Sequence, residues 1–210
     1  MKKILLITSC IMLTAALLVG CAPKATTAPA DEQKMVVNKD KKEITMPAQV
    51  NGKYFTESTR HGVVFKDGSN GEKSVLRGLT DEKEFYEAMN SLGLQAGNNL
   101  VAGDKGQGKS IDGAKLDVFV TWEGLGKEIP FNDIIVSSDP RPMDIRFGGN
   151  IDRANQNNTG CVLCLDSCPT GITSNASYTW GESDTVKFNG NKDVLPADGT
   201  NVTVIFRVAE

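Results

Sequence analysis

The sequence predicts an α+β domain: a mostly antiparallel β-sheet with one main helix at about residues 81–92 and a long cysteine-containing loop. Three observations support this fold class. Short β-branched or alternating apolar stretches recur along the chain and are followed by Gly, Asn or Asp, which is typical of strands joined by turns. A single clear segment has apolar residues at helical spacing. The stretch 148–178 has little periodicity and contains three cysteines.

Several short strands are predicted in the sheet. Residues 62–65 (GVVF) are apolar and β-branched, and the turn-forming residues 67–71 (DGSNG) follow them. Residues 115–122 alternate between apolar and polar, which indicates a half-buried strand. The other predicted strands are 34–37, 43–46, 131–136, 143–147, 185–188 and 202–208.

The predicted helix has a start signal, an apolar stripe and a stop signal. Asp81 can cap its first turn, with Glu84 three residues later as the partner in a capping box. Gly93 is a typical residue just after a helix end. The apolar stripe consists of Phe85, Ala88, Met89 and Leu92. This stripe indicates packing against a sheet rather than a ligand site.

The N-terminus has the features of a lipoprotein signal peptide. Lys2 and Lys3 precede an apolar run at residues 4–18, and Gly20-Cys21 is the expected cleavage junction. The run is shorter than the ~20 residues that span a bilayer, which argues against an uncleaved transmembrane helix. We therefore expect residues 1–20 to be removed and Cys21 to carry diacylglycerol and fatty acyl groups such as palmitate.

These features predict the domain organisation and the location. Residues 21–33 form a lipidated, Ala/Pro/Thr-rich tether, and residues 34–210 form a single domain on the extracytoplasmic face of a cell membrane. Removing residues 1–20, which contain two lysines and no acid, changes the net charge from −3 to −5. An acidic chain with no basic run argues against nucleic acid as a partner.

Residues 103–110 (GDKGQGKS) match the phosphate-loop pattern of nucleotide-binding proteins. That loop needs a helix beginning at its Lys-Ser pair, because the helix N-terminus binds the phosphates. Here a predicted strand follows almost directly at residue 115. We therefore expect a surface loop and no bound nucleotide.

Cys161, Cys164 and Cys168 are the candidate functional centre. Their spacing, C-x2-C-x3-C-P, reproduces the last three cysteines of the bacterial ferredoxin pattern and lacks the first. One hypothesis is therefore an iron–sulfur cluster. A second is zinc or another soft metal, with His61, the one histidine in the chain, as a fourth ligand. A third is a disulfide with one thiol left over, which an oxidising compartment favours.

Other kinds of site receive less support. A hydrolase triad would have to use His61, and no G-x-S-x-G motif accompanies it. Arg60 and Arg146 lie beside Gly- or Asn-rich sequence and are candidates for binding an anion, although ordinary ion pairs would explain them equally. An accessory protein is expected rather than an enzyme.

Four segments together resemble the YdjY-type domain of bacterial lipoproteins. They are YFTESTRHGVVF (54–65), FYEAMNSLGLQAGNN (85–99), RFGGN (146–150) and TGCVLCLDSCPTGITSN (159–175). The resemblance covers nearly the whole mature domain, residues 36–210. Members of this family are often labelled ferredoxin-like or iron–sulfur proteins, which implies a redox role.

Two functional hypotheses follow for the lipid-anchored domain. In the first, the three cysteines bind a metal or an iron–sulfur cluster, and the protein passes electrons or handles a metal for a membrane redox partner. In the second, a disulfide-stapled loop belongs to a non-catalytic binding or structural module. The cofactor is therefore an iron–sulfur cluster, zinc or none.

Overall fold

The main structural element of the described residues is a sheet that closes on itself. A computed structural model describes residues 34–210, which include two α-helices, α1 (Glu82–Ser91) and α2 (Ile151–Asn157). The strands are β1 (Val36–Asn38), β2 (Glu43–Val50), β3 (His61–Phe65), β4 (Ser74–Gly78), β5 (Lys115–Thr121), β6 (Ile129–Pro130), β7 (Ile135–Ser137), β8 (Ile145–Phe147), β9 (Cys161–Cys164), β10 (Thr173–Asn175), β11 (Phe188–Gly190) and β12 (Asn201–Val208).

Eight of these strands form the closed sheet, in the order β2-β12-β5-β8-β10-β9-β3-β4, and β4 pairs again with β2. The pairing of β4 with β2 closes the sheet, and β1 shares the same edge of β2 without being part of the ring. β1 pairs with the first residues of β2, 43–45, and β4 pairs with its last residues, 48–50. The pairs β3–β4 and β9–β10 are parallel, and the other pairs in the ring are antiparallel, so the sheet is mixed.

The predicted α+β fold class is therefore wrong. The described residues are mostly β-structure with two short helices, and the sheet is closed and mixed, whereas a mostly antiparallel sheet with one main helix was predicted. The predicted long loop at 148–178 is also wrong, because it contains α2, β9 and β10. The two strands were missed for a physical reason. Both are buried on all sides, so their sequences do not alternate between apolar and polar residues.

Helix α1 packs against the closed sheet. The Asp81 side chain caps it by accepting a hydrogen bond from the Lys83 N–H at 2.7 Å. Phe85 and Met89 are fully buried, and the Phe85 ring lies 4.6 Å from the ring of Phe206 on β12. Burying a side chain of this size contributes about 1.5–3 kcal/mol. The apolar stripe of the helix therefore serves packing.

Beside β5 and β8 lies a second, two-stranded sheet formed by β7 and β11. A cavity of about 600 Å³ lies between these elements. Its walls are largely aromatic and apolar, and its Arg141 pairs with Asp139 and Glu182. No cysteine or histidine lines this cavity.

No helix formed within residues 34–210 is long and apolar enough to cross a bilayer. The predicted signal peptide, the lipidated Cys21 and the tether at residues 21–33 lie outside the described residues. Their assignment stays a prediction.

Replacing Glu82 with Gln is expected to stabilise the protein at neutral pH. Glu82 is 1% exposed, and burial raises the pKa of its carboxyl, although hydrogen bonds from its own N–H and that of Gly160 offset part of the effect. Its Oε2 has no hydrogen-bond partner among the described residues. The native state therefore keeps a proton on Glu82 at a higher pH than the unfolded state does. Stability falls as the pH rises from the ordinary pKa of a glutamate through the raised pKa of Glu82. The glutamine removes that charge, a gain on the order of 1 kcal/mol.

Urea denaturation at pH 5 and pH 8 measures this effect. Glu84→Gln, on the exposed side of the same helix, is the matched control and should change little. A Glu82→Gln protein that is less stable at pH 8 than the wild type would contradict the prediction.

Candidate metal site

Two β-bulges turn the histidine and cysteine side chains of β3 and β9 toward one another. In a regular strand, residues three positions apart point to opposite faces. Gly62 is an extra residue on β3, and Val162 is an extra residue on β9. Each bulge reverses the alternation once, so residues 161 and 164 share a face. The paired residues are His61 with Cys164, Val63 with Leu163 and Val64 with Cys161.

Three of the predicted ligands converge in this arrangement. The ligand atoms of His61, Cys161 and Cys164 all lie within 4.8 Å of one another. The distance from Cys161 Sγ to His61 Nδ1 is 3.7 Å. A tetrahedral ion with metal–sulfur bonds of about 2.3 Å places neighbouring ligand atoms roughly 3.5–3.8 Å apart. The three side chains therefore fit around one metal ion with little movement.

Cys168 completes the cluster from the segment that follows β9. It packs with Val64, Cys161 and Cys164, and all three cysteines are free, buried thiols. The chain turns back between Cys168 and β10, and Gly171 passes close to the cluster. A Cβ atom at Gly171 would lie 2.8 Å from Cys164 Sγ. A glycine at this position therefore leaves room for the sulfur.

The three thiols have different acidities because they interact. Cys164 is fully buried, and hydrogen bonds to Cys161 and Cys168 together with burial raise the pKa of its thiol well above the ordinary value. The hydrogen bond from Cys164 lowers the pKa of Cys161 well below the ordinary value, and His61 adds to this effect. A hydrogen bond from Cys164 and the charge of Arg60 lower the pKa of the Cys168 thiol to about 7, although burial opposes this shift. Two of the three thiols are thus disposed to be thiolates.

Arg60 provides positive charge beside Cys168. Its guanidinium donates to Asp166 Oδ1 from Nη2 at 2.6 Å and from Nε at 3.0 Å, and it lies 4.4 Å from the centre of the Trp180 ring. Burial opposes its charge, but the negative charges of Cys168 and Asp166 raise the pKa of Arg60. Burial raises the pKa of Asp166, and the charge of Arg60 offsets part of this effect.

Asn70 contacts the cluster at Cys161. Its Nδ2 lies 3.8 Å from Cys161 Sγ and can donate to it. Its Oδ1 accepts from Lys73 Nζ at 2.8 Å, which fixes the orientation of the amide. Hydrogen bonds of this kind orient a ligand and tune its basicity.

Sequence reasoning did not identify Asp166 or Asn70 as site residues. Asp166 did give a signal, because it is a charged residue between Leu165 and Cys168 in an otherwise apolar segment. A buried charge is rare unless it is paired. Asn70 gave no comparable signal, since it lies in a turn rich in Gly and Asn and its proximity depends on the β3–β9 pairing.

The two arginines that were predicted to bind an anion are instead paired with carboxylates. Arg60 pairs with Asp166, and Arg146 pairs with Asp144 at 2.9 Å. An added anion would have to compete with these carboxylates, and anion binding stays a prediction.

In the phosphate-loop segment, Lys109 pairs with Asp104 at 2.5 Å. No helix lies between Ser110 and the start of β5 at Lys115. The helix N-terminus that phosphate binding requires is therefore not formed there.

Replacing Gly171 with Ala is expected to displace Cys164. The added methyl group would lie 2.8 Å from Cys164 Sγ and 2.9 Å from the carbonyl oxygen of Thr173. Overpacking of this kind costs about 1–3 kcal/mol, and we expect metal affinity to fall as the ligand moves. Thermal unfolding and a metal-competition titration measure the two effects. Gly103→Ala, with nothing within 4 Å of the added atom, is the control. Wild-type affinity in Gly171→Ala would contradict the prediction.

The model of the YdjY domain family matches residues 35–207. A protein of Escherichia coli (strain K12), YdjY, whose name describes it as uncharacterized, is 46% identical over 184 residues, which cover 86% of this chain and 81% of that protein. No solved structure matches the chain.

Proposed function

Because the chain belongs to the YdjY domain family and its histidine and cysteine side chains converge, we propose that the protein binds a single thiophilic metal ion. The ligands are His61 Nδ1 and the sulfur atoms of Cys161, Cys164 and Cys168. The observation that carries the proposal is that the ligand atoms of His61, Cys161 and Cys164 all lie within 4.8 Å of one another. Three thiolates and one imidazole are a common set for Zn²⁺.

The same separation favours one ion over an iron–sulfur cluster. In a four-iron cluster each thiolate binds a different iron atom, so the width of the cluster holds the sulfur atoms apart. Around a single ion the ligand atoms are in contact with one another. The 3.7 Å distance between Cys161 Sγ and His61 Nδ1 agrees with the second arrangement.

The burial of the ligands suggests a closed site. Cys161, Cys164 and Cys168 are 2%, 0% and 5% exposed. Structural zinc sites have four protein ligands, whereas catalytic sites keep one position for water or substrate. With four protein ligands, this site holds its metal without catalysing a reaction. The protein is on this basis a metal-binding accessory protein and not an enzyme.

Metal and sulfide analysis of protein purified without oxygen tests the proposal, together with a count of free thiols. We expect about one zinc or similar ion per chain, no acid-labile sulfide, and thiols that react only after chelation. Iron with sulfide would instead establish a cluster and favour electron transfer. A chain without metal and with a disulfide among the three cysteines would favour the stapled binding module.

We further propose that the domain is anchored to the extracytoplasmic face of a membrane through a lipid on Cys21. Support comes from the charged start, apolar run and Gly20-Cys21 junction of the sequence. Two or three acyl chains would hold it firmly, at roughly 0.8 kcal/mol per buried methylene.

Replacing Cys21 with Ser is expected to leave the N-terminal segment without a lipid. The lipid attaches to the cysteine thiol, so the serine variant lacks the anchor. Membrane fractionation and mass measurement of the N-terminal peptide provide the test, and Cys10→Ser within the signal is the control. An unmodified Cys21 in the N-terminal peptide of the wild-type protein would rule out the lipid anchor.

A further inference from the structure

The segment Arg146-Phe147-Gly148-Gly149-Asn150 places an asparagine amide against the cysteine loop. Asn150 is 7% exposed and lies just before α2 with a positive φ of 54°, a conformation that asparagine tolerates better than most residues. Its Nδ2 donates two hydrogen bonds, to the carbonyl oxygen of Cys168 at 3.1 Å and to that of Gly171 at 2.8 Å.

Two glycines make room for this amide. A Cβ atom at Gly148 would lie 3.0 Å from Asn150 Nδ2 and 2.8 Å from Ile111. Gly149 has a φ of +83°, and a Cβ there would lie 2.6 Å from Asn98 Oδ1. That Asn98 oxygen accepts from the Asn150 N–H at 2.9 Å. Both the backbone and the side chain of Asn150 are therefore held in place.

The loop to which Asn150 is hydrogen-bonded is unusually short for a connection between two parallel strands. It connects β9 to β10, which are parallel neighbours, through residues 165–172 alone. Parallel neighbours are normally joined by a dozen or more residues, often including a helix. A tight turn of this kind leaves carbonyl groups without partners in the sheet, and each must be satisfied. The Asn150 amide satisfies the carbonyl of Cys168, in the middle of the connection, and that of Gly171, near its end.

We infer that Asn150 is the positioning residue that holds Cys168 in place as the fourth metal ligand. The inference rests on the proposed metal site. Cys168 lies outside the group of three ligand atoms that are within 4.8 Å of one another. Its place in the coordination sphere therefore depends on how its loop is fixed. Partners that orient ligands in this way change metal affinity by roughly 10- to 100-fold.

Cobalt(II) titration of the full-length protein tests this inference, because sulfur-to-cobalt charge-transfer absorption grows with the number of bound thiolates. Asn150→Gly removes the amide and keeps the positive φ accessible. We expect its absorption to fall to that of Cys168→Ser and its cobalt affinity to fall roughly 10- to 100-fold. In the Cys168→Ser background, Asn150→Gly should cause no further loss of affinity.

Asn98→Asp is the matched control, since it keeps the oxygen that accepts from the Asn150 N–H and does not touch Cys168. It should keep the three-thiolate spectrum. An Asn150→Gly protein with the wild-type spectrum and affinity would overturn the inference. An equal loss in the wild-type and Cys168→Ser backgrounds would also overturn it, because the effect would then not act through Cys168.

Alkylation of the metal-free protein separates this inference from the metal proposal. Asn150→Gly should make Cys168 react about tenfold faster with iodoacetamide and leave Cys161 unchanged, because the loop loses two hydrogen bonds. If wild-type protein shows no charge-transfer absorption, the metal site is rejected. Unchanged Cys168 reactivity in Asn150→Gly would then reject the positioning role as well.

Discussion

Replacing Cys164 with Ser is expected to lower metal affinity by about 100- to 1,000-fold. Structural zinc sites bind with about 10–16 kcal/mol shared among four ligands, so each ligand is worth several kcal/mol. Cys164 is the central ligand, since it is fully buried and lies between Cys161 and Cys168. A serine hydroxyl is a much poorer ligand for a thiophilic ion at neutral pH. Competition with a chelator of known affinity measures the change.

Val64→Ala is the matched control for Cys164→Ser. Val64 is fully buried in the same cluster but has no ligand atom. It should lower the free energy of unfolding by about 1–3 kcal/mol, as other buried truncations do, without reducing the number of bound thiolates. If the two variants lose affinity equally, packing rather than coordination would explain the loss.

Replacing Arg60 with Met is expected to destabilise the protein by about 3–5 kcal/mol. Asp166 is completely buried, and Arg60, with 24% of its side chain exposed, supplies the charge that pairs with it. Removing one partner of a buried ion pair leaves the other charge uncompensated, which is the main source of the loss. Urea denaturation at pH 7 measures the free energy of unfolding.

Two further variants test the cause. Asp166→Asn in the Arg60→Met background removes the unpaired charge and should restore part of the stability. Arg146→Met breaks a pair with Asp144 in which both side chains are 30% exposed, and it should cost about 0–1 kcal/mol. An Arg60→Met protein no less stable than Arg146→Met would contradict this account of the buried pair.

Local signals in the sequence predicted part of the fold. Residues 115–122 alternate clearly because one face of β5 is buried and the other is exposed, and the structure has β5 at Lys115–Thr121. Closure of the sheet has no local signal. It depends on the pairing of β4 with the last residues of β2, which are separated in the chain by β3 and its flanking turns. The α+β class was therefore predicted in place of a closed, mixed sheet.

The sequence predicted which residues could form the candidate site but not how they come together. The spacing of Cys161, Cys164 and Cys168 pointed to shared chemistry, and the lone His61 was named as a possible fourth ligand. Their convergence depends on the bulges at Gly62 and Val162, which no periodic pattern reveals. The roles of Asn70 and Asn150 depend on pairings across the fold, so no short motif could have identified them.

X-ray absorption at the edge of the bound metal is the most direct test of a single-ion site. For wild-type protein purified without oxygen, we predict about three sulfur neighbours at roughly 2.3 Å and one nitrogen at roughly 2.0–2.1 Å, with no second metal atom nearby. A metal–metal distance together with labile sulfide would contradict the single-ion site and establish a cluster. A shell of oxygen and nitrogen alone would show that the cysteines do not bind the metal.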